Sequence, residues 1–122
     1  MIRSFTESDY PTICTWFAKR GRVCPSLEVL SKTGFITQEA AGFLYLTNST
    51  VGIADVFITD PEAPKEQRRA ALELLSQTII SFAKNQGVQL LKADSQFPSM
   101  VQLSIDLGFK SSGTYESFYK EL

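Results

Sequence analysis

The sequence contains no histidine and only two cysteines, Cys14 and Cys24. Without histidine the chain cannot form a Ser-His-Asp or Cys-His catalytic relay, and two cysteines alone cannot complete a zinc site, so we expect no bound metal. A single pair of cysteines in a chain that begins without a recognisable signal peptide is typical of reduced thiols. We therefore expect an intracellular, cytoplasmic protein.

Neither sign of charge is in excess, since 12 lysines and arginines face 13 aspartates and glutamates and the formal net charge is −1. Proteins that bind the nucleic-acid backbone normally carry surplus positive charge, so no nucleic-acid partner is expected. The longest stretch without charge, residues 40–54, is too short to cross a bilayer, so no membrane partner is expected either. The 122 residues, 43% of them hydrophobic, suit one domain spanning residues 1–122.

Apolar residues recur at strand or helix spacing along the whole chain. Thr6 and Asp9 have the spacing of a capping box, and Gly21, Gly87 and Gly108 stand where three helices should end. The predicted order is β-α-α-β-β-β-α-β-α-β(β). Its fold class is α/β (α+β), with a mixed, mostly antiparallel sheet and helices on both faces. The predicted strands are 2–5, 35–37, 41–46, 51–59, 88–93 and 115–120, and the predicted helices are a first one running to about Arg20, then 25–30, 66–86 and 98–107.

This order and three local segments resemble the GCN5-related N-acetyltransferase (GNAT) superfamily. The segments are the start Ile2–Tyr10, the exit from a long apolar strand at Thr59–Glu62, and the helix end Phe82–Val88 followed later by Leu107–Phe109. The resemblance covers the whole chain. It implies the GNAT fold and transfer of an acetyl group from acetyl-CoA to an amine by direct attack in a ternary complex. The acceptor is a small molecule or a protein amino group.

In the GNAT superfamily the loop before the long helix carries Gln/Arg-x-x-Gly-x-Gly/Ala, and its amides hold the pyrophosphate of acetyl-CoA at the helix N-terminus. The matching stretch here places Ala70 and Leu72 where the two glycines belong. The side chains of Arg68 and Arg69 can supply positive charge to the pyrophosphate in place of a backbone that approaches it closely. Alternatively, they form a solvated first turn of the helix. The residues assigned to acetyl-CoA through the resemblance are Phe57, Ile58 and Thr59 on the strand and Gln67, Arg68, Arg69, Ala70, Ala71 and Leu72 after it.

Direct transfer needs a base that frees the amine, and in this superfamily a tyrosine commonly protonates the departing thiolate. Asp55 is the only charge in residues 51–59. If it is buried, its pKa is raised or it has a partner, and if the strands splay there it is solvated. The position of the tyrosine is taken by Ser104, and Tyr115 or Tyr119 downstream can substitute for it or simply pack on a strand. The catalytic candidates are Asp55, Ser104 and Tyr115.

Two functions of different class remain open. The first is the N-acetyltransferase, and the second is a GNAT-like scaffold that has lost transfer chemistry and binds a protein partner. The segments Gly34–Ile36 and Ala41–Tyr45 resemble GNAT-like proteins of tailed bacteriophages, some of which are virion-associated or host-directed. An enzyme should leave the backbone amides of Arg69–Leu72 free to bind the cofactor. A scaffold should instead cover these amides, or fill the gap between the separated strands with the side chain of Phe57 or Phe97. A homo-oligomer is compatible with either function.

Overall fold

The computed structural model describes residues 1–95 and 97–122, which contain one five-stranded sheet and three α-helices. The strands are β1 (Arg3–Ser4), β2 (Thr33–Ile36), β3 (Ala40–Leu46), β4 (Val51–Thr59) and β5 (Leu90–Ala93), and the helices are α1 (Tyr10–Lys19), α2 (Lys65–Asn85) and α3 (Pro98–Asp106). The strands lie in sequence order, with antiparallel pairing from β1 to β4 and parallel pairing between β4 and β5. A parallel pair needs a long crossover, which α2 supplies. The predicted fold class, a mixed and mostly antiparallel sheet, is confirmed.

Helices cover both faces of this sheet, as the sequence predicts. On one face, side chains of α1 join the sheet in a cluster that contains Ile13, Trp16, Phe17, Ile36, Phe43 and Ile58. On the other face, α2 presents a stripe of buried residues at helical spacing, namely Ala71, Leu75, Ile79 and Ala83. Full burial of one leucine or isoleucine contributes roughly 1.5–3 kcal/mol, so the two layers hold the central strands from both sides.

The end of α1 sets the course of the chain that follows it. Gly21 has a φ of 66°, a left-handed conformation that glycine adopts at little cost. The amide of Gly21 donates to the carbonyl of Ala18 and the amide of Arg22 donates to that of Phe17, both at 3.0 Å. This pattern closes the last turn of α1. It reverses the chain at Gly21 and brings Arg22 back over Phe17.

The predicted second helix, residues 25–30, is wrong in extent. The structure forms one 3-10 turn there, Leu27–Val29, and β2 begins at Thr33, ahead of the predicted Phe35. A segment this short contains few apolar residues and cannot offset the cost of starting an α-helix, whereas a single 3-10 turn is common in such connections.

The predicted last strand, residues 115–120, is also wrong. Among the described residues, the chain beyond α3 has no strand or helix, and Tyr115, Phe118 and Tyr119 are exposed. Alternation alone does not make a strand, because the segment must also pair with a sheet edge, and in the described structure β5 is paired only with β4. Within the described ranges, no helix is both long and apolar enough to cross a membrane.

Candidate functional site

The two parallel strands separate halfway along β4. Their pairing runs from Val51 opposite Leu90 to Ala54 opposite Ala93, and β4 then continues to Thr59 while paired only with β3. The edge of β4 that faced β5 is therefore open from Asp55 onward, in agreement with the predicted splay. A cavity of about 40 Å³ lies in the opening, between β4, β5, α2 and α3.

A β-bulge marks the point of separation. Phe43 lies opposite Asp55 and Ala41 lies opposite Ile58, so the single residue Gly42 of β3 faces two residues of β4. Val56, the first of the two, has a φ of 56°, which β-branched residues rarely adopt. Strain of this kind costs roughly 1–3 kcal/mol and often occurs at functional sites.

Asp55 is exposed, and of the two predicted environments the solvated one is observed. Its Oδ1 accepts a hydrogen bond of 2.7 Å from the amide of Val56. Asp55 keeps the alternation of β4, in which Gly52 and Ala54 are buried and Val51 and Ile53 are only half-buried, so its side chain lies on the less covered face. Its role as a base stays a prediction.

The three strand residues assigned to acetyl-CoA lie in different surroundings. Phe57 lines the cavity, with its ring packed over Gly42. Ile58 is buried in the cluster under α1, and Thr59 accepts a hydrogen bond of 3.1 Å at its carbonyl from Nε of Arg20. The structure therefore places one of the three, Phe57, on the cavity.

The amides expected to be free in the loop lie inside a helix. Helix α2 begins at Lys65, so the amides without an intrahelical partner belong to its first three residues, 65–67. The amide of Arg68 already donates to the carbonyl of Pro64 at 3.0 Å, and those of Arg69–Leu72 follow it in the helix. The amides of Arg69–Leu72, which an enzyme is expected to leave free, are therefore engaged within α2, because the helix begins at Lys65.

The side chains of this stretch point in several directions. The Nη1 of Arg68 donates to the carbonyls of Pro61 at 3.2 Å and Ala63 at 2.8 Å, which ties down the connection before α2. Arg69 forms an ion pair of 3.5 Å with Asp106 of α3. The remaining residues are Gln67 and Ala70, which are exposed, Ala71, which is buried, and Leu72, which packs beside Ala40 and Leu75.

Two arginines from the end of α1, Arg20 and Arg22, lie beside Thr59 and Phe97, although their sequence pattern is that of a solvated helix end. Arg20 donates to the carbonyl and hydroxyl oxygens of Thr59. The guanidinium of Arg22 lies 4.9 Å from the ring centroid of Phe17 and 5.8 Å from that of Phe97. The pKa of Arg20 is lowered by burial and by the positive charges of Arg68 and Arg22. Local pattern could not reveal this approach, because the partners are distant in sequence.

The two predicted proton donors are separated. Ser104 lines the cavity, and its hydroxyl donates to the carbonyl of Met100 at 2.9 Å. Tyr115 is 70% exposed and donates to the carbonyl of Ser112 at 2.6 Å. Its hydroxyl is thus engaged within the exposed segment, and Tyr115 is not among the described residues that line the cavity.

No protein-family model matches this chain, and no curated protein sequence matches it either. Solved structures do. An acetyltransferase from Trypanosoma brucei matches with a TM-score of 0.69 at 14% identity, over 98% of this chain and 99% of that one. Aminoglycoside N-acetyltransferase AAC(6')-Iy, in complex with CoA, matches with a TM-score of 0.70 at 13% identity, over 100% of both chains.

A transcriptional regulator from Bacillus halodurans matches with a TM-score of 0.74 at 16% identity, over 98% of this chain and 99% of that one. At identities this low, such likeness establishes the fold and leaves the chemistry open. The splayed strands β4 and β5, the crossover helix α2 and these matches over the full chain lead to one conclusion: this protein has the GNAT fold.

Proposed function

We propose that this protein is an N-acetyltransferase that takes the acetyl group of acetyl-CoA and transfers it to an amine. The observation that carries the proposal is the separation of β4 from β5 after Ala54, which opens a strand edge beside a cavity in a GNAT fold. An open edge offers backbone N–H and C=O groups to an extended ligand, and the pantetheine arm of CoA carries amides that can pair with them.

The residues present fit this cofactor through side chains more than through loop amides. Phe57 and Leu103 give the cavity an apolar lining, and the free amides of Lys65, Glu66 and Gln67 lie at the positive end of α2. Two of the three structural neighbours described above are named as acetyltransferases, and one of them is in complex with CoA.

The transfer itself joins the amine nitrogen to the acetyl carbon and breaks the carbon–sulfur bond, so the amine must lose a proton and the thiolate must gain one. Asp55, exposed beside the opening, is the proposed base. Ser104, whose hydroxyl lies on the cavity, is the proposed donor, with Tyr115 as the alternative if the exposed segment moves. The acceptor is a small amine or a protein amino group.

Calorimetric titration with acetyl-CoA and CoA tests the cofactor, and mass spectrometry of candidate amines incubated with acetyl-CoA tests the transfer. We expect micromolar binding of both ligands and an acceptor that gains 42 mass units, about the mass of an acetyl group in place of hydrogen. Phe57→Trp, which fills the cavity, should weaken binding at least tenfold, whereas Lys84→Gln, at the far end of α2, should not. No binding at millimolar ligand contradicts the proposal.

The second candidate is a GNAT-like scaffold that binds a protein partner and transfers nothing. Two observations favour it: the amides of Arg69–Leu72 are engaged in α2, and Phe57 occupies the splay, where the cavity of about 40 Å³ holds only a few water molecules. Absence of cofactor binding would favour this function if the protein also captures a protein partner and the variant Phe57→Trp no longer does.

The location and source of the protein belong to the proposal as well. The unpaired thiols of Cys14 and Cys24 support an intracellular location, and the resemblance to bacteriophage-encoded proteins stays a prediction.

A further inference from the structure

After α1 the chain turns back along the helix that it has just left. The amide of Arg22 donates to the carbonyl of Phe17 at 3.0 Å, and the guanidinium of Arg22 lies 4.9 Å from the ring centroid of Phe17. Three residues later, the carbonyl of Pro25 accepts a hydrogen bond of 2.7 Å from the hydroxyl of Tyr10, the first residue of α1. We refer to residues 22–25 as the return segment. It is attached to α1 at both of its ends.

These two attachments fix the level of Cys24 along α1. Tyr10, Cys14 and Phe17 are spaced so that they share one face of the helix, with Cys14 in the middle. The rise of the helix from Tyr10 to Phe17 is about 10 Å, and the extended return segment spans about the same length. Cys14 stands about 4–5 Å from the level of Phe17, and Cys24 stands about 7 Å from the level of Arg22. The two cysteines therefore lie at nearly the same level.

The side chain of Cys24 faces α1. Cys24 precedes Pro25, a position that favours extended backbone, and successive side chains of an extended chain point to opposite sides. Val23 is 92% exposed, whereas Cys24 is half-buried and packs against the cluster under α1. Because Val23 points to solvent, Cys24 points to the helix, where Cys14 occupies the matching level.

The acidity of the groups at this place agrees with the placement of the two thiols. Burial and the thiol of Cys14 raise the pKa of Cys24 to about 11, although the hydroxyl of Tyr10 lowers it. The pKa of Tyr10 is raised as well, first by the thiol of Cys14 and then by burial and the thiol of Cys24. Both cysteines are half-buried, so a small oxidant can reach them, and the sequence contains no third cysteine that could compete.

We propose that Cys14 and Cys24 are a redox-responsive dithiol that closes to a disulfide in the presence of a small disulfide oxidant, glutathione disulfide. The thiolate of Cys14 attacks one sulfur of the oxidant and releases one glutathione, which leaves a mixed disulfide on Cys14. The sulfur of Cys24 then attacks the mixed disulfide at Cys14 and releases the second glutathione. Two electrons pass from the protein to the oxidant, and the two protons lost by the cysteines are balanced by those on the two glutathiones. Cys24 acts second because it holds its proton more strongly than a free thiol does.

The disulfide would hold the return segment, and with it Arg22, against α1. Since the fold already brings the two thiols together, the disulfide should form more readily in the folded chain than in the unfolded one. By thermodynamic linkage it should stabilise the folded state by the same factor. The inference does not depend on acetyl transfer, and its test uses no acetyl-CoA.

The test equilibrates the full chain with mixtures of glutathione disulfide and glutathione, once folded and once in urea, and blocks the remaining thiols with N-ethylmaleimide. Lys19, Arg20 and Arg22 lie between the two cysteines. Trypsin therefore separates Cys14 from Cys24, and mass spectrometry finds the two peptides joined only where the disulfide has formed. Electrophoresis without reductant shows whether the link lies within one chain.

Two tyrosine variants test the geometry of the pair. Tyr10→Phe removes the hydrogen bond to Pro25 and keeps the ring, so the return segment loses one of its two attachments. Tyr45→Phe is the matched control, because the hydroxyl of Tyr45 also donates to a backbone carbonyl, that of Val29, at 3.0 Å. Circular dichroism checks that both variants fold.

We expect the equilibrium constant for disulfide formation to be at least about tenfold larger in the folded chain than in urea, and the oxidised protein to melt about 5 °C higher than the reduced one. Tyr10→Phe should lower the constant of the folded chain about threefold or more, and Tyr45→Phe should leave it unchanged. A constant no larger than in urea overturns the inference. So does a link only between two chains, glutathione on each cysteine without a link, or an equal response of the two tyrosine variants.

Discussion

The amide of Val56 donates a hydrogen bond of 2.7 Å to the carboxylate of the preceding residue, Asp55. The contact lies inside the β-bulge, where Val56 has a φ of 56°. The carboxylate thereby satisfies an amide at the place where the bulge interrupts the ladder between β3 and β4. Asp55, a candidate base by sequence, is therefore also a support of the bulge beside which β4 and β5 separate.

Replacement of Asp55 separates its structural contribution from a chemical one. Asp55→Asn keeps an oxygen that can accept from the amide of Val56, whereas Asp55→Ala removes it. We expect Asp55→Ala to lower the free energy of unfolding by about 1 kcal/mol, and Asp55→Asn to change it by less than about 0.5 kcal/mol. Urea denaturation followed by tryptophan fluorescence measures both values.

The same pair of variants addresses catalysis. If Asp55 is the base, Asp55→Asn should slow acetyl transfer by about a hundredfold or more while the protein stays as stable as before. Equal loss of stability in the two variants would show that the hydrogen bond to Val56 does not support the bulge.

Gly42 should resist substitution, because it lies opposite the bulge under the ring of Phe57. A Cβ at position 42 would stand 2.5 Å from a carbon of that ring. We expect Gly42→Ala to destabilise the protein by about 1–3 kcal/mol, the usual cost of overpacking. In the Phe57→Leu background the same substitution should cost much less, and a double-mutant cycle from denaturation curves measures the difference. Additive effects would mean that the contact with the ring of Phe57 is not the source of the cost.

The fold could be predicted largely from the sequence. Strand β4 and helix α2 are long, and their apolar patterns are strong enough that the predicted and observed bounds agree within one residue. The two failures, residues 25–30 and 115–120, are short segments whose local preference is weak. In such segments burial by the rest of the chain decides the structure, and sequence spacing does not reveal that burial.

The site could be predicted only in part. The splay beside Asp55 and the inward turn of Leu72 agree with the structure. The bulge has no signal in the sequence, because it depends on how β3 and β4 pair. The arrival of Arg22 at this site depends on the close approach of two distant segments, for which the sequence contains no local signal.

The ion pair of Arg3 and Asp9 predicts how stability depends on pH. Two hydrogen bonds, of 2.8 and 2.6 Å, join their side chains, and the amide of Thr6 donates to the same carboxylate at 2.9 Å. These contacts, with that of Arg3 the largest, lower the pKa of Asp9 to about 2 from its ordinary value near 3.8. The folded state thus favours the ionised form.

The contribution of Asp9 should be complete above about pH 5 and should disappear as the pH falls through 4 toward 2. The side chain of Arg3 is 59% exposed, so solvent screens the pair and the contribution at neutral pH is below the roughly 2 kcal/mol that the shift alone would give. Asp9→Asn should remove that contribution at pH 6 and should make stability between pH 6 and pH 3 less dependent on pH. Urea denaturation at the two pH values measures this, and an unchanged slope with pH in Asp9→Asn would assign the acid sensitivity to other carboxyl groups.

The last residues of the chain should be dispensable for stability. Residues 110–122 are all exposed, and the hydrogen bond of the Tyr115 hydroxyl goes to Ser112 within the same segment. Removal of residues 114–122 should therefore leave the melting temperature within about 2 °C of its value in the full chain, since surface changes without partners shift stability by less than about 0.5 kcal/mol. Thermal unfolding followed by circular dichroism measures it, with Tyr115→Ser in the full chain as the control. A clear fall on truncation, with no effect of Tyr115→Ser, would contradict this expectation and would show that the backbone of the segment contributes to stability.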